Sequence, residues 1–348
     1  MPAYGFDQIE IPVKPYWTAF YFSKESFPPG PRGLPILGNL LQIGPNPHQS
    51  LARLAKKYGP LMTIYQGSVT TIVASSAEMA QLILQKHDAD MSGRIIPDAI
   101  TTLEHPSHSM AWLHAGEEWR LIRRVLATFL TNTHKLDSLC ELRHGVMELF
   151  LAGSETSTNT TEWAMTELIL HPDKMTKLRN EIAESVSQKG RIEESELLRL
   201  PYLQAVVKET MRLHLAVPFL LPHKTETNVK LKGYEIPKNT QVLVNAWAIA
   251  RDLDSWENPT SFMPERFLDS EVDFRGQHFS YLPFGSGRRM CPGIPLAHRV
   301  VSLMIASLVY HFEWKLPHDM NPKEHDMTER FGLTLARAVP LVAVPISL

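Results

Sequence analysis

Ten residues in the last third of the chain have the types and spacing to do chemistry: Phe284-Gly285-Ser286-Gly287-Arg288-Arg289-Met290-Cys291-Pro292-Gly293. They hold one of only two cysteines. The glycines at 285, 287 and 293 and Pro292 exclude regular structure and let the backbone come close to a neighbour. Ile294 to His311 reads as an apolar helix, with Leu296, Val300, Leu303, Ile305, Leu308 and Val309 of buried type. Cys291 then stands just ahead of a helix N-terminus, where the dipole favours an anion. Arg288 and Arg289 add positive charge. Both influences are expected to lower the thiol pKa and favour the thiolate, the form that binds metal.

One thiolate cannot build a structural zinc site, which takes four clustered ligands. Cys140 lies far upstream, and the chain has no C-x-x-C and no H-E-x-x-H. A metal that brings its own equatorial ligands needs only one ligand from the protein. Haem meets that condition, with Cys291 as the axial ligand and a neighbouring arginine for a propionate. The plainer reading is a glycine-rich turn around a buried, inert cysteine.

Three other groups stand out. Trp119 and Arg123 are four apart in a helix expected over Glu117 to Leu130, hence on one face. Ala152-Gly153-Ser154-Glu155-Thr156-Ser157 interrupts a long apolar helix expected over Val146 to Leu170. Glycine there costs ~1 kcal/mol against alanine, and the β-branched threonines lower propensity further. Glu155 reads as a buried acid beside a threonine. The plain account is a helix kinked by hydroxyl-to-backbone bonds. The functional one is a groove for oxygen with a hydroxyl passing protons. Glu209 and Arg212 are three apart, and Pro264-Glu265-Arg266-Phe267 follows. His105, His108 and His114 lack metal-ligand spacing and read as solvated or locally bonded.

The elements that must position these residues are legible in outline. Pro47 to Tyr58 reads as helix. Leu61 to Gln66 and Val69 to Ala74 read as a hairpin around Gly67-Ser68. Glu78 is placed like a capping-box acid after Ser75-Ser76. Residues 93 to 116 read as a long loop. Pro172 opens a helix to about Ser187, and Pro201 opens one reaching His214. Val229 to Ile236, Thr240 to Ala246 and Leu333 to Leu348 read as strands.

The pattern F-x-x-G-x-R-x-C-x-G resembles the haem-binding loop of the cytochrome P-450 family. The Trp119/Arg123 helix, the Glu155-Thr156 helix and the Glu209/Arg212/Arg266 set resemble three further family motifs, in family order. The resemblance runs from about Phe27, at the proline-rich hinge Phe27-Pro28-Pro29-Gly30-Pro31, to the C-terminus. It is greatest to plant microsomal members, among them terpenoid hydroxylases. It implies a mainly α fold with small β-sheets and Cys291 as the iron ligand. It implies haem contacts from Trp119, Arg123, His223, Phe284, Gly287 and Arg289, and proton delivery by Thr156 with Glu155. Residues Ser107 to His114, Ala216 to Leu221 and Phe331 to Thr334 would line the pocket. The activity implied is a monooxygenase acting on a small lipophilic substrate, with O2 and electrons from an NADPH-dependent reductase. The chain carries no flavin or nicotinamide motif, since Gly285-x-Gly287 lacks the rest of a dinucleotide fingerprint. A hydrolase is disfavoured, because no G-x-S-x-G elbow is present.

Two departures from the family pattern bear on the organisation. Residues 1 to 26 form an atypical N-terminal segment ahead of a haem domain over 27 to 348. No membrane span is expected, and the family's endoplasmic-reticulum anchor has no counterpart there. A cytoplasmic or peripheral location follows, with Tyr16 to Phe22 able to touch a membrane surface. Residues 141 to 146 run almost directly from the Trp119 helix into the Thr156 helix. The family places several helices there, including the pocket roof, so an internal deletion is expected. A haem-binding but inactive isoform, or a chain unable to fold, are the alternatives. The net charge of −2 gives no basic excess for nucleic acid, and two distant cysteines give no disulfide framework.

Overall fold

Residues 27–67, 69–96, 110–126, 147–186, 192, 194–317, 325–332 and 334–347 are described by a computed structural model of the chain. The N-terminal segment, Cys140, His105, His108 and the expected junction at 141 to 146 lie outside them.

Pro47 occupies the first turn of α1 (Pro47–Tyr58), where its missing N–H costs nothing. Strands β1 (Leu61–Gln66) and β2 (Val69–Ala74) pair antiparallel, Leu61 opposite Ala74 and Gln66 opposite Val69. Ser76 caps α2 (Ala77–Gln81) by accepting the Met79 N–H at 3.3 Å. The cap falls one residue later than Ser75, so Glu78 misses the capping-box position and pairs with Lys232 instead. A wider π-type turn, Leu82–Lys86, extends α2.

The short β3 (Gly93–Arg94) interrupts the loop expected over 93 to 116. Four longer helices follow: α3 (Glu117–Val125), α4 (Met147–Leu170), α5 (Pro172–Val186) and α6 (Pro201–Leu213). Then come β4 (His223–Lys224), the hairpin β5 (Val229–Leu231) and β6 (Tyr234–Ile236), and β7 (Gln241–Val244). The chain continues through α7 (Ile294–His311), β8 (Phe312–Lys315), β9 (Glu329–Phe331), β10 (Leu335–Arg337) and β11 (Val344–Ser347). The largest sheet runs β1-β2-β7-β4-β3, with β2 and β7 parallel. Three two-stranded pieces complete a mainly α fold with small sheets.

Helices α4 to α7 enclose the main core around Met165, Leu168, Leu178, Val206, Ile305 and Val309. Each such side chain contributes roughly 1.5–3 kcal/mol by leaving water. By length and composition α7 is apolar enough to cross a membrane, a test that the core helix of a folded domain also passes. Here it packs against α4, α5 and α6. Only one face is inside: Val301, Ile305, Ala306 and Val309 are buried, while Leu296, Val300, Leu303 and Leu308 are half-buried. Met165 of α4, Met304 and Leu308 of α7, Trp314 and Leu341 line a shallow open groove of about 290 Å³.

Behind this core sits a buried charge network. Arg212 grips Glu209 with two bonds, Nε to Oε2 at 2.8 Å and Nη2 to Oε1 at 2.9 Å. Arg266 Nε and the Met263 N–H also donate to Glu209 Oε1, at 3.1 and 2.8 Å. Arg212 Nη1 then donates to the Ala250 and Pro259 carbonyls, which fixes the loops between β7 and the cysteine segment. The sequence pair Glu209/Arg212 with Arg266 is thus a structural clamp and not a surface ion pair.

Candidate cofactor-binding site

Cys291 lies where two glycines and a helix start leave a sulfur on a bare loop. Gly285 and Gly287 have φ of +74° and +69°, the left-handed region that glycine enters without strain. A Cβ on Gly287 would lie 1.8 Å from the Leu84 carbonyl oxygen. The close approach that Gly287 permits is therefore to the π-type turn, so its first role is to seat the loop on the protein. The Cys291 N–H donates to the Phe284 carbonyl at 3.0 Å, which folds the loop back on itself. Phe284 in turn packs edge-on to Phe274, with centroids 5.6 Å apart. The Gly293 N–H, at the start of α7, points at Cys291 Sγ at 3.4 Å.

The expected lowering of the thiol pKa is not what the fold gives. Burial pushes the Cys291 thiol up, and the Gly293 N–H and the charge of Arg123 only partly offset this. The neighbouring arginines point elsewhere. Arg288 pairs with Asp88 at 2.7 Å. Arg289 donates to the carbonyls of Ser92 at 2.9 Å and Leu113 at 2.8 Å. A thiol in this position becomes a thiolate when a metal takes the proton's place.

Around the loop the chain gathers three guanidiniums. Arg123 of α3 stands over the Trp119 ring at 5.3 Å and donates Nη2–H to the Met290 carbonyl at 3.0 Å. Arg289 covers the same ring at 4.8 Å. Trp119 is buried, and its indole N–H donates to the Met110 carbonyl at 3.1 Å. Arg94 of β3, which the sequence reading missed, donates to the Leu221, Pro222 and Ala111 carbonyls. It carries no periodic or motif signal, and only the β3–β4 pairing brings it here. Among the described residues none of the three arginines forms an ion pair with a carboxylate. Their charges are held at a cost: burial, then the charge of Arg289, lowers Arg94 to about 9, and burial, then Arg123, lowers Arg289 to about 10.

His223 is also in this group, opposite Arg94 in the β3–β4 register. The resemblance implies a haem contact for it. Burial, then the charge of Arg94, lowers it to about 3, so the ring is neutral. Its Nδ1 lies 2.9 Å from the Met91 carbonyl, which obliges Nδ1 to carry the proton. The free Nε2 is then an acceptor and cannot donate to a carboxylate.

Glu155 and Thr156 stand apart from that cluster in their contacts. The Thr156 hydroxyl donates to the Ala152 carbonyl at 2.6 Å. Thr160, Thr161 and Thr166 bond the carbonyls four residues earlier in the same way, at 2.8, 2.9 and 2.8 Å. The hydroxyl-to-backbone bonds of the plain account are therefore present, within one continuous helix. Glu155 is exposed and not buried as expected, because its turn of α4 faces outward. Its Oε1 accepts the Thr334 hydroxyl at 2.7 Å. Thr334 was expected only as pocket lining, and Asn159 was not singled out by the sequence, since neither carries a motif. Of the expected pocket lining, residues 107 to 109 and 333 lie outside the described residues. His114 is an exposed ring 3.6 Å from Glu226, which fits a locally bonded histidine.

The donor set has a definite chemistry. Among the described residues one half-buried sulfur, outside any cluster of protein metal ligands, lies on a loop flanked by three arginines that form no ion pair with a carboxylate. That combination suits a group bearing one thiophilic metal and more than one negative charge.

A family model for cytochrome P-450 matches residues 28–143 and 134–340. The two matched stretches meet between the Trp119 and Thr156 helices. The chain is 34% identical over 484 residues to cytochrome P-450 76T24 of Catharanthus roseus, covering 95% of this chain and 97% of the relative. It is 35% identical over 468 residues to ferruginol synthase of Isodon rubescens, covering 93% and 95%. It is 34% identical over 477 residues to geraniol 8-hydroxylase of Catharanthus roseus, covering 96% and 97%. Each alignment is far longer than this 348-residue chain, so each closes over a large internal gap.

Proposed function

This chain belongs to the cytochrome P-450 family of haem-thiolate oxidoreductases, and we propose that it hydroxylates a small terpenoid, with O2 and electrons from an NADPH-dependent reductase. The observation that carries the proposal is the convergence of Arg94, Arg123 and Arg289, which form no carboxylate ion pair among the described residues, around the loop of the half-buried Cys291 thiol. The terpenoid class is supported by relatives named for acting on geraniol and for making ferruginol.

When bound through a cysteine thiolate, haem supplies O2 activation, and the thiolate pushes electron density toward O–O cleavage. The rest falls to the protein's own residues. Cys291 Sγ, once deprotonated, would hold the iron, and the Gly293 N–H would stabilise the charge left on sulfur. Arg123 and Arg289 would hold propionate carboxylates, and Arg94 would add a third charge from β3. His223, neutral, contributes shape and an acceptor only. Phe284 and Gly287 hold the loop so that the sulfur stays in one place. Glu155 and Thr156 supply and pass protons from α4.

The test is the reduced carbon monoxide spectrum of the purified chain loaded with haem. The thiolate signature is expected for the natural sequence and is expected to vanish in Cys291→Ala. An unchanged spectrum and haem content in that variant would rule the assignment out. A second reading is favoured by the internal gap and by the Thr156 hydroxyl being tied to Ala152: a haem-binding but inactive isoform. It predicts the thiolate spectrum with no reductase-dependent product. A chain that cannot fold would instead leave no protease-resistant core.

For location, we infer a peripheral membrane contact. Leu34, Ile36, Leu37, Leu40, Leu41 and Val69 are all exposed large apolar residues, and Ile36 is 82% exposed. They form one surface, since Gly38 bridges to both Leu34 and Gln66 beside the β1–β2 turn. A contiguous patch of this kind marks an interaction site. Co-sedimentation with phosphatidylcholine vesicles, lost in Ile36→Ser with Leu41→Ser, is the expected result; no co-sedimentation of the natural chain would exclude it.

A further inference from the structure

We propose that Thr334 is the positioning residue for the acid of α4: its hydroxyl, held by Asn159, fixes the Glu155 carboxylate. The inference rests on the monooxygenase reading above, in which Glu155 supplies protons, and adds the group that aims it.

Glu155 and Asn159 are four residues apart and share one face of α4. Asn159 Nδ2 donates to Thr334 Oγ1 at 3.0 Å, and Thr334 Oγ1 donates to Glu155 Oε1 at 2.7 Å. The directions follow from the chemistry. An amide nitrogen only donates, so the threonine oxygen accepts from Asn159. Its single O–H proton is then left for the carboxylate, which when ionised only accepts. Thr334 and Asn159 are 7% and 8% exposed, so the bond to the charged oxygen is shielded from water on their side. A charge-assisted bond there is stronger than one between neutral groups. The Thr156 hydroxyl, meanwhile, is committed to the Ala152 carbonyl. The immediate hydroxyl partner of the acid is therefore Thr334, across 179 positions of sequence, and not the adjacent threonine.

Thr334 can serve because its hairpin is anchored on elements besides α4. The next residue, Leu335, donates its N–H to the Ala216 carbonyl at 2.7 Å. The partner strand β9 is fixed at Glu329, whose Oε2 lies 3.1 Å from His48 Nε2 and whose Oε1 lies 3.7 Å from Arg251 Nη2. At the other end of β10, Arg337 stacks over Trp163 of α4 at 4.9 Å. The hairpin is clamped on both sides of Thr334. Its hydroxyl therefore stays in place while the Glu155 side chain, otherwise exposed, is drawn to it.

The test uses the full chain and the variants Glu155→Gln, Thr334→Val and Thr334→Ser. Infrared difference spectra against Glu155→Gln isolate the Glu155 carboxylate stretch. That band is expected to shift in Thr334→Val, which keeps the shape and loses the hydroxyl, and to return in Thr334→Ser. An unshifted band in Thr334→Val overturns the proposal. With haem, reductase and NADPH, Thr334→Val is expected to release about threefold more of its reduced oxygen as peroxide, as one lost hydrogen bond allows, and Thr334→Ser to restore the natural share. Equal peroxide shares in the natural chain and Thr334→Val also overturn it. Absence of the thiolate carbon monoxide spectrum in the natural chain defeats the haem reading instead. The infrared comparison, made on the haem-free chain, still decides the contact.

Discussion

Arg123 reaches from α3 to the carbonyl of Met290 at 3.0 Å, one peptide before Cys291. Its guanidinium ends on a carbonyl and forms no ion pair with a carboxylate among the described residues, and Arg289 shares the same indole. Replacing it separates two effects. Arg123→Gln relieves repulsion with Arg289 and loses one carbonyl bond, so the haem-free chain is expected to change by no more than about 1 kcal/mol in urea unfolding. Haem retention is expected to fall about tenfold or more, because a charge-assisted carboxylate bond is worth roughly 1.5–3 kcal/mol. Haem transfer to a scavenging apoprotein measures it.

Gly287→Ala is expected to damage the site more than Gly285→Ala. Both positions have positive φ. At 287 the new methyl carbon would fall 1.8 Å from the Leu84 carbonyl, whereas at 285 the nearest atom is Leu220 Cδ1 at 3.6 Å. Backbone must move in the first case and only strain is added in the second, about 1–3 kcal/mol. Melting temperature and haem content of the two variants, compared side by side, check the order.

Glu209→Gln leaves two guanidiniums, those of Arg212 and Arg266, short of their anion. Removing one partner of such a pair is expected to cost about 3–5 kcal/mol. Chemical denaturation should show the loss, and trypsin should open the region around Pro264–Phe267 sooner than in the natural chain. A loss under about 1 kcal/mol would place the network at the surface.

His223 gives a pH dependence with a definite sign. Its folded value, about 3, lies below the unfolded value of 6.5, so the unfolded chain binds more protons between those limits. Stability from this group is complete above pH 6.5 and is lost as the pH falls toward 3. His214 adds to the same trend, since its burial lowers it too despite the Glu167 carboxylate at 2.7 Å. His223→Gln is expected to flatten the acid limb of the melting-temperature profile between pH 6.5 and 4. An unaltered limb would show that the ring titrates normally.

The groove lined by Met165, Met304, Leu308 and Trp314 lies on the faces of α4 and α7 that the described residues leave open. The sequence placed the missing segment just ahead of α4, and the two family-model matches meet there.

Local rules made much of this protein legible before any coordinates. Pro47, Pro172 and Pro201 each start the helix they were expected to start. The β1–β2 hairpin and α7 have the bounds that alternation and apolar run length predicted. The cysteine loop was readable because its glycines, arginines and thiol lie within ten residues. What only the tertiary structure decided is the state of those groups. Burial raised the Cys291 thiol and silenced His223 as a cation. A carbonyl 203 residues away gave Gly287 its role. The β3–β4 pairing brought in Arg94, and a C-terminal hairpin gave Glu155 its partner. Turns and helix starts depend on neighbours within a few residues, so sequence carries them. Desolvation and cross-chain bonds depend on which distant segments close over a group, and no local pattern encodes that.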